Sequence, residues 1–239
     1  MSYGLTTVNG SDKLTMSTDG YTYGYIGKAT LVSITPPGTD TVSSFAGFST
    51  YTITWPGKII VALPIKSNGA VCLLGQSQSG STWTIKVHKS NGSSNALSFK
   101  NQEESEVFVF GAPVSVSDFG VALYSASGEL VADLGRRPLS FDRMVSMAAN
   151  VNTASFSGLT KPAVIGTEPT YITQTFDTGS GPTPWVNRII GGAWRWDTAS
   201  GLIERDSRQE QYFEDDGPII ASTNRPAATV LLLEANALT

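Results

Sequence analysis

The chain has 239 residues, 40% of them apolar and only 15% charged, with 24 glycines and 12 prolines. That composition fits short strands joined by many turns and excludes a disordered acidic chain. A formal net charge of −4, with no run of Lys and Arg, argues against binding along a phosphate backbone.

Strand signals run through the chain in order. A hairpin pattern opens it: Tyr3-Gly4-Leu5-Thr6-Thr7-Val8, the polar turn Asn9-Gly10-Ser11-Asp12, and a return centred on Leu14. Ala29 to Ile34 is an apolar run stopped by Pro36-Pro37-Gly38. Tyr51, Ile53 and Trp55 alternate with Thr52 and Thr54, and Pro56-Gly57 turns the chain. Lys58 to Leu63 follows, then the turn Ser67-Asn68-Gly69 and the run Ala70 to Leu74. Trp83, Ile85 and Val87 alternate with Thr84, Lys86 and His88, which reads as a half-buried strand before the turn Asn91-Gly92. Glu106 to Phe110 closes a first half of about seven strands at sandwich-like spacing. The boundary is placed near Gly111-Ala112-Pro113.

The second half opens on another hairpin, Phe119-Gly120-Val121-Ala122-Leu123-Tyr124, the turn Ser125-Ala126-Ser127-Gly128, and Glu129-Leu130-Val131-Ala132. Gly4 and Gly120 are 116 positions apart, as are Leu14 and Leu130, and Tyr3 matches Phe119. Arg143 to Ala149 has no clear helix cap and is read as strand or turn. Ala163 to Ile165 and Tyr171 to Phe176 read as strands, and Thr178 to Pro184 as a loop. Trp185 to Ile190 leads into Gly191-Gly192. Ala193 to Trp196 and Leu202 to Arg205 flank a turn and form a further hairpin. Asp215-Asp216-Gly217-Pro218 is a turn, and Ala228 to Leu233 is a buried closing strand. The expected fold class is all-β, with two β-sandwich-like modules, 1–113 and 114–239, carrying hairpins and long loops.

Chemistry-bearing residues are few. Cys72 is the sole cysteine, inside an apolar run, and reads as a small buried hydrophobe. His88, the sole histidine, falls in phase with the polar positions of its strand and reads as a surface residue. One His and one Cys do not make a zinc site, and no Gly-x-Ser-x-Gly elbow surrounds a serine. Arg136-Arg137 reads as a solvated turn. Glu204, Asp206, Glu210, Glu214, Asp215 and Asp216 cluster in sequence, and glycoside hydrolysis needs two carboxyls about 5–10 Å apart. Their interleaving with Arg205 and Arg208 instead suggests a solvated strand with cross-strand pairing. Trp55 and Trp83 sit in phase with core positions. Trp185, Trp194 and Trp196 have two readings: core of the second half or, together with Tyr212, a stacking surface for a glycan or receptor. No catalytic residue, metal ligand or cofactor site is assigned.

Two passages resemble hairpins of small tail proteins from tailed bacteriophages with long non-contractile tails. They are Tyr3-Gly4-Leu5 to Leu14 and Phe119-Gly120-Val121 to Leu130. Such hairpins are followed by an Asp and basic residues; Asp133 and Arg136-Arg137 stand there after the second copy, whereas the first has Asp19 and no basic pair. The resemblance covers these stretches only and transfers no catalytic residue. It implies a non-enzymatic β-rich virion protein of the tail tip or fibre, made in the host cytoplasm. Its partners would be copies of itself (a trimer is preferred), other tail proteins and a host surface glycan or receptor. The start of the chain lacks the basic and apolar segments of a signal peptide, and no stretch is apolar for long enough to span a bilayer. Neither membrane insertion nor nucleic-acid binding is expected. The alternatives are a glycan-binding module using Trp185, Trp194, Trp196 and Tyr212, and a glycan-degrading enzyme using Glu204, Asp206 or Glu214.

Overall fold

The computed structural model describes residues 6–8, 14–17, 21–36, 47–65, 69–91, 106–166, 171–177, 185–197, 201–215 and 227–238. In chain order the strands are β1 (Thr6–Val8), β2 (Leu14–Ser17), β3 (Gly24–Lys28), β4 (Thr30–Thr35), β5 (Phe48–Thr54), β6 (Ile59–Pro64), β7 (Gly69–Ser79), β8 (Thr82–Asn91) and β9 (Phe108–Gly111). They continue with β10 (Ala122–Tyr124), β11 (Leu130–Asp133), β12 (Arg143–Met147), β13 (Thr153–Ser155), β14 (Pro162–Ile165), β15 (Tyr171–Asp177), β16 (Trp185–Asp197), β17 (Leu202–Asp215) and β18 (Ala228–Glu234). The fold is all-β; among the described residues a short 3-10 turn at Ala235–Leu238 stands apart from the strands.

Two large antiparallel sheets carry most of these strands. One has the order β12-β18-β14-β6-β9-β3; the other runs β13-β17-β16-β7-β8-β5-β4, with β15 also on β16. Both sheets take strands from either side of residue 113. Leu63 on β6 lies opposite Val164 on β14, and Val71 on β7 lies opposite Trp194 on β16. The expected division into a 1–113 and a 114–239 sandwich therefore gives way to two sheets shared by both halves. The reason lies in β6 and β7: each has an unpaired side within its own half, and the backbone groups there are satisfied by a strand of the other half.

The alternation of side chains explains the layering. Along β9, Val109 faces the space between the sheets, with Val107 just before the strand, while Phe108 and Phe110 face the opposite way. The same alternation runs through Val61, Leu63 against Ala62 on β6, and Val164 against Ala163 on β14. Strands buried on both faces read as continuous apolar runs, which is how 59–64 and 230–233 stand in the sequence. The eight-stranded sheet contributes Tyr51, Val71, Ile85, Val87, Trp194 and Ile203 to the inter-sheet core.

The six-stranded sheet is curled. Leu139 donates its backbone N–H to Tyr23 beside β3, and four residues later Arg143 begins β12 at the other end of the strand order. Four residues reach at most about 14 Å, whereas five flat strand spacings cover about 24 Å. The two ends must therefore approach each other, and Phe108, Phe110, Leu233, Tyr25, Leu139 and Ile165 fill the concave side. Tyr25 packs against Phe110 at 5.6 Å and Phe108 at 6.2 Å between ring centroids. Lys28 and Lys161 both bond Glu106 at 2.6 Å across the end of this cluster and lie over the Phe108 ring.

Most expected strands fall where the pattern put them, with some differences in extent. Arg143–Met147 is strand β12, and the hairpin at Ala193 to Trp196 is the inner part of the β16–β17 pair. Gly191-Gly192 does not interrupt β16, which runs on for 13 residues. Strand β3, with its small and aromatic residues, was not expected. The loop 178–184, Asp216-Gly217-Pro218, and the turn positions Gly38, Ser67, Asn68 and Gly92 lie outside the described residues.

Candidate functional site

The second hairpin is the best-defined surface feature the sequence singled out. Strands β10 and β11 pair antiparallel, Ala122 opposite Asp133 and Tyr124 opposite Leu130, with a bulge between Leu123 and Tyr124. The turn holds itself. Ser125 N–H donates to the Glu129 carbonyl at 2.8 Å, Gly128 N–H to the Ser125 carbonyl at 3.0 Å, and Ser125 Oγ accepts the Glu129 N–H at 3.1 Å. Gly128 has φ 81°, which a glycine adopts without strain.

Asp133 anchors the hairpin's base. Its buried carboxylate accepts from Ser117 N–H at 3.1 Å, Ser117 Oγ at 2.7 Å and Gly135 N–H at 3.0 Å. Arg136 Nε stands 3.3 Å from Asp133 Oδ2, an ion pair rather than an aligned hydrogen bond. The motif glycine has a steric reason too. Gly120 has φ 121°, and a Cβ there would strike the backbone of Gly135. A buried carboxylate is tolerated when its lone pairs are met by donors, and here four groups converge on it.

Arg136 also fastens the hairpin to the body. Its guanidinium lies 4.9 Å from the centre of the Trp55 ring, and its stem packs on Gly24, where a Cβ would come within 2.8 Å. The solvated-turn reading of Arg136 is therefore replaced by an anchoring one. The side chain is only 28% exposed because the Trp55 face attracts a planar cation and Asp133 neutralises it. Backbone bonds complete the docking: Thr22 N–H to Val131 O, Tyr25 N–H to Arg137 O and Leu139 N–H to Tyr23 O, with a bridge between Gly24 and Pro138. Tyr21 adds a hydroxyl bond to the Glu129 carboxylate.

What this anchored element presents to solvent is apolar. Phe119 is 86% exposed, Val121 56% and Tyr124 53%, with Val114 and Val116 nearby in the chain. Rigidly held exposed aromatics and aliphatics suit contact with another protein surface. Sequence reasoning found the hairpin but missed Arg136 and the exposed row. The signal for the row was two apolar pairs spaced by two, Val114 with Val116 and Phe119 with Val121, outside any strongly alternating strand.

The other candidates do not converge. Trp194 is 1% exposed in the inter-sheet core, so the core reading holds for it. Trp196 is half-buried against the same core and packs on Phe156 at 6.3 Å. Trp185 stands nine residues before Trp194 on one strand, about 30 Å away at strand rise. Tyr212 lies opposite Arg188, three rungs from Trp185, and the structure places both as strand positions only. Glu204, Asp206, Glu210, Glu214 and Asp215 all lie along β17, and Glu204 pairs in register with Arg195. Glu204 and Glu214 are ten positions apart on that strand, too far for one hydrolytic pair.

His88 departs from its surface reading. It is fully buried, opposite Cys72, and its Nδ1 lies 2.7 Å from the Gly47 carbonyl. Gly47 directly precedes β5, the strand beside β8, so the ring bonds the backbone next to its own strand; strand alternation alone could not reveal the burial. Cys72 is buried as expected. Among the described residues no three His, Cys, Asp or Glu stand together to hold a metal ion, and no helix is long and apolar enough to cross a membrane. Comparison with known proteins finds no matching family model, curated protein or solved structure.

Proposed function

We propose that this chain is a non-enzymatic structural protein of a bacteriophage tail, a component of the tail tip or fibre that serves assembly and host attachment. The observation that carries the reading is the second hairpin. The residues of the resemblance are the ones that build it: Gly120 permits the close approach to Gly135, Asp133 gathers the base, and Arg136 locks it on Trp55. A passage so anchored, with Phe119, Val121 and Tyr124 facing outward, acts as a contact element. Its partners are copies of the chain, with a trimer as the preferred state, and neighbouring tail proteins. Strand β4, at one end of the eight-stranded sheet, adds exposed Val32 and Ile34 to the surface that association would cover. The site of action is the virion, after synthesis in the host cytoplasm.

Two measurements test this together. Sedimentation equilibrium of the purified chain is expected to give a discrete homo-oligomer, and peptide mass spectrometry is expected to find the chain in purified tailed particles. A strict monomer absent from such particles would overturn the proposal.

A further inference from the structure

The two hairpins share more than sequence. In the first, Thr6 lies opposite Ser17, Thr7 opposite Met16 and Val8 opposite Leu14, with a bulge between Thr7 and Val8. In the second, Ala122 lies opposite Asp133, Leu123 opposite Ala132 and Tyr124 opposite Leu130, with a bulge between Leu123 and Tyr124. Adding 116 to every position of the first ladder gives the second, bulge included (6 + 116 = 122, 17 + 116 = 133). A bulge displaced by one residue would exchange the faces of the strand beyond it, so this agreement is a demanding one.

The order of strands repeats as well. After the first hairpin come β3, β4, β6, β7, β8 and β9; after the second come β12, β13, β14, β16, β17 and β18. In the six-stranded sheet the sequence β3-β9-β6 meets β14-β18-β12, which is the same trio reversed. In the other sheet β8-β7 meets β16-β17, again like against like. The central pairs β6–β14 and β7–β16 are antiparallel, as two equivalent strands are when a twofold axis passes between them perpendicular to the sheet. Among the described strands each half keeps one of its own: β5 stands between β4 and β8, and β15 flanks β16.

A third contact falls on the same axis. The segments that follow the hairpins pair with each other where the six-stranded sheet curls round, through Tyr25 N–H to Arg137 O and Leu139 N–H to Tyr23 O. Tyr23 and Leu139 are 116 positions apart (139 − 23 = 116), the offset of the hairpins. Equivalent residues meet face to face only on a twofold axis.

We infer that the chain is two copies of one hairpin-led module folded about a pseudo-twofold axis, a built-in dimer that presents its hairpin element twice. The inference stands on topology and register and does not depend on the chain's place in a virion. It accounts for the shared sheets: β6 and β7 pair with β14 and β16 as two protomers would across a dimer interface.

An experimental structure of the full chain tests this. Superposing β3, β6, β7, β8 and β9 on β12, β14, β16, β17 and β18 is expected to need a rotation of about 180° and to bring the first hairpin onto the second. A rotation far from a half turn, or a superposition that leaves the two hairpins apart, would overturn the inference.

Discussion

The guanidinium of Arg136 lies 4.9 Å from the centre of the Trp55 indole, and the same side chain is ion-paired with Asp133. One residue thus ties the base of the hairpin to the rim of the core. Trp55 is held in turn by its own Nε1–H bond to the Ala112 carbonyl at 3.0 Å, so the ring cannot swing away. Replacing Arg136 by Ala is expected to cost about 1–3 kcal/mol, from the lost stacking and the unpaired Asp133. Arg136→Lys should recover only part of it, since an ammonium lacks the planar face. Urea denaturation of the three proteins checks the order.

Gly120 and Gly128 both have positive φ but differ in surroundings. A Cβ on Gly120 meets the Gly135 backbone, whereas one on Gly128 meets nothing within 4 Å. Gly128→Ala should therefore cost about 1 kcal/mol from backbone strain alone, and Gly120→Ala clearly more. Equal effects in thermal unfolding would contradict the close approach that makes Gly120 part of the motif.

Trp194 separates the core reading from the sugar-stacking one. It is 1% exposed, and its Nε1 finds no partner among the described residues. Trp194→Ala is expected to destabilise by about 3–5 kcal/mol. Trp194→Phe should be far milder, because the indole N–H contributes no bond. A fully stable Trp194→Ala variant that had lost binding to a cell-surface glycan would contradict this placement.

Acid should weaken the fold through two carboxylates. Hydrogen bonds from Lys161 and then Lys28 hold Glu106 below the usual glutamate pKa. Burial pushes Glu234 up, but bonds from the backbone of Thr160, Asn236 and Lys161 and from the Thr160 hydroxyl outweigh it. A carboxylate whose folded pKa is lowered binds fewer protons folded than unfolded. Its contribution is complete above the ordinary glutamate value and is lost as pH falls through the folded one. The unfolding midpoint should hold from pH 7 to about 5 and decline below about 4. Glu106→Gln should flatten part of that decline; at pH 7 it should cost about 1 kcal/mol or less, since the pair is over a third exposed.

The exposed row on the hairpin should govern association rather than folding. Phe119→Asp alters a side chain that is 86% exposed and should leave the unfolding midpoint nearly unchanged. It should shift the oligomer towards monomer in sedimentation velocity. An unchanged oligomer would remove this surface from the assembly.

Periodicity made the strands legible: Tyr51, Ile53 and Trp55 alternate as the sheet requires, and 230–233 is apolar throughout because that part of β18 is buried or half-buried on both faces. The second hairpin was legible because its glycines, Gly120 and Gly128, are fixed by local backbone geometry. The pairing of β6 with β14 was not, since a strand's own pattern does not say which edge meets it. For the same reason His88 looked exposed: strand phase gives the face, and only the tertiary fold shows that this face is buried at His88. Arg136 was misread because its partners, Asp133 and Trp55, are brought together by a turn and by a residue 81 positions away (136 − 55 = 81).

Immunogold labelling of purified tailed particles with antibody raised against this chain tests the central claim most directly. Gold confined to one end of the tail is the expected result. Particles that bear no gold, while the same antibody detects the chain free in the lysate, would contradict it.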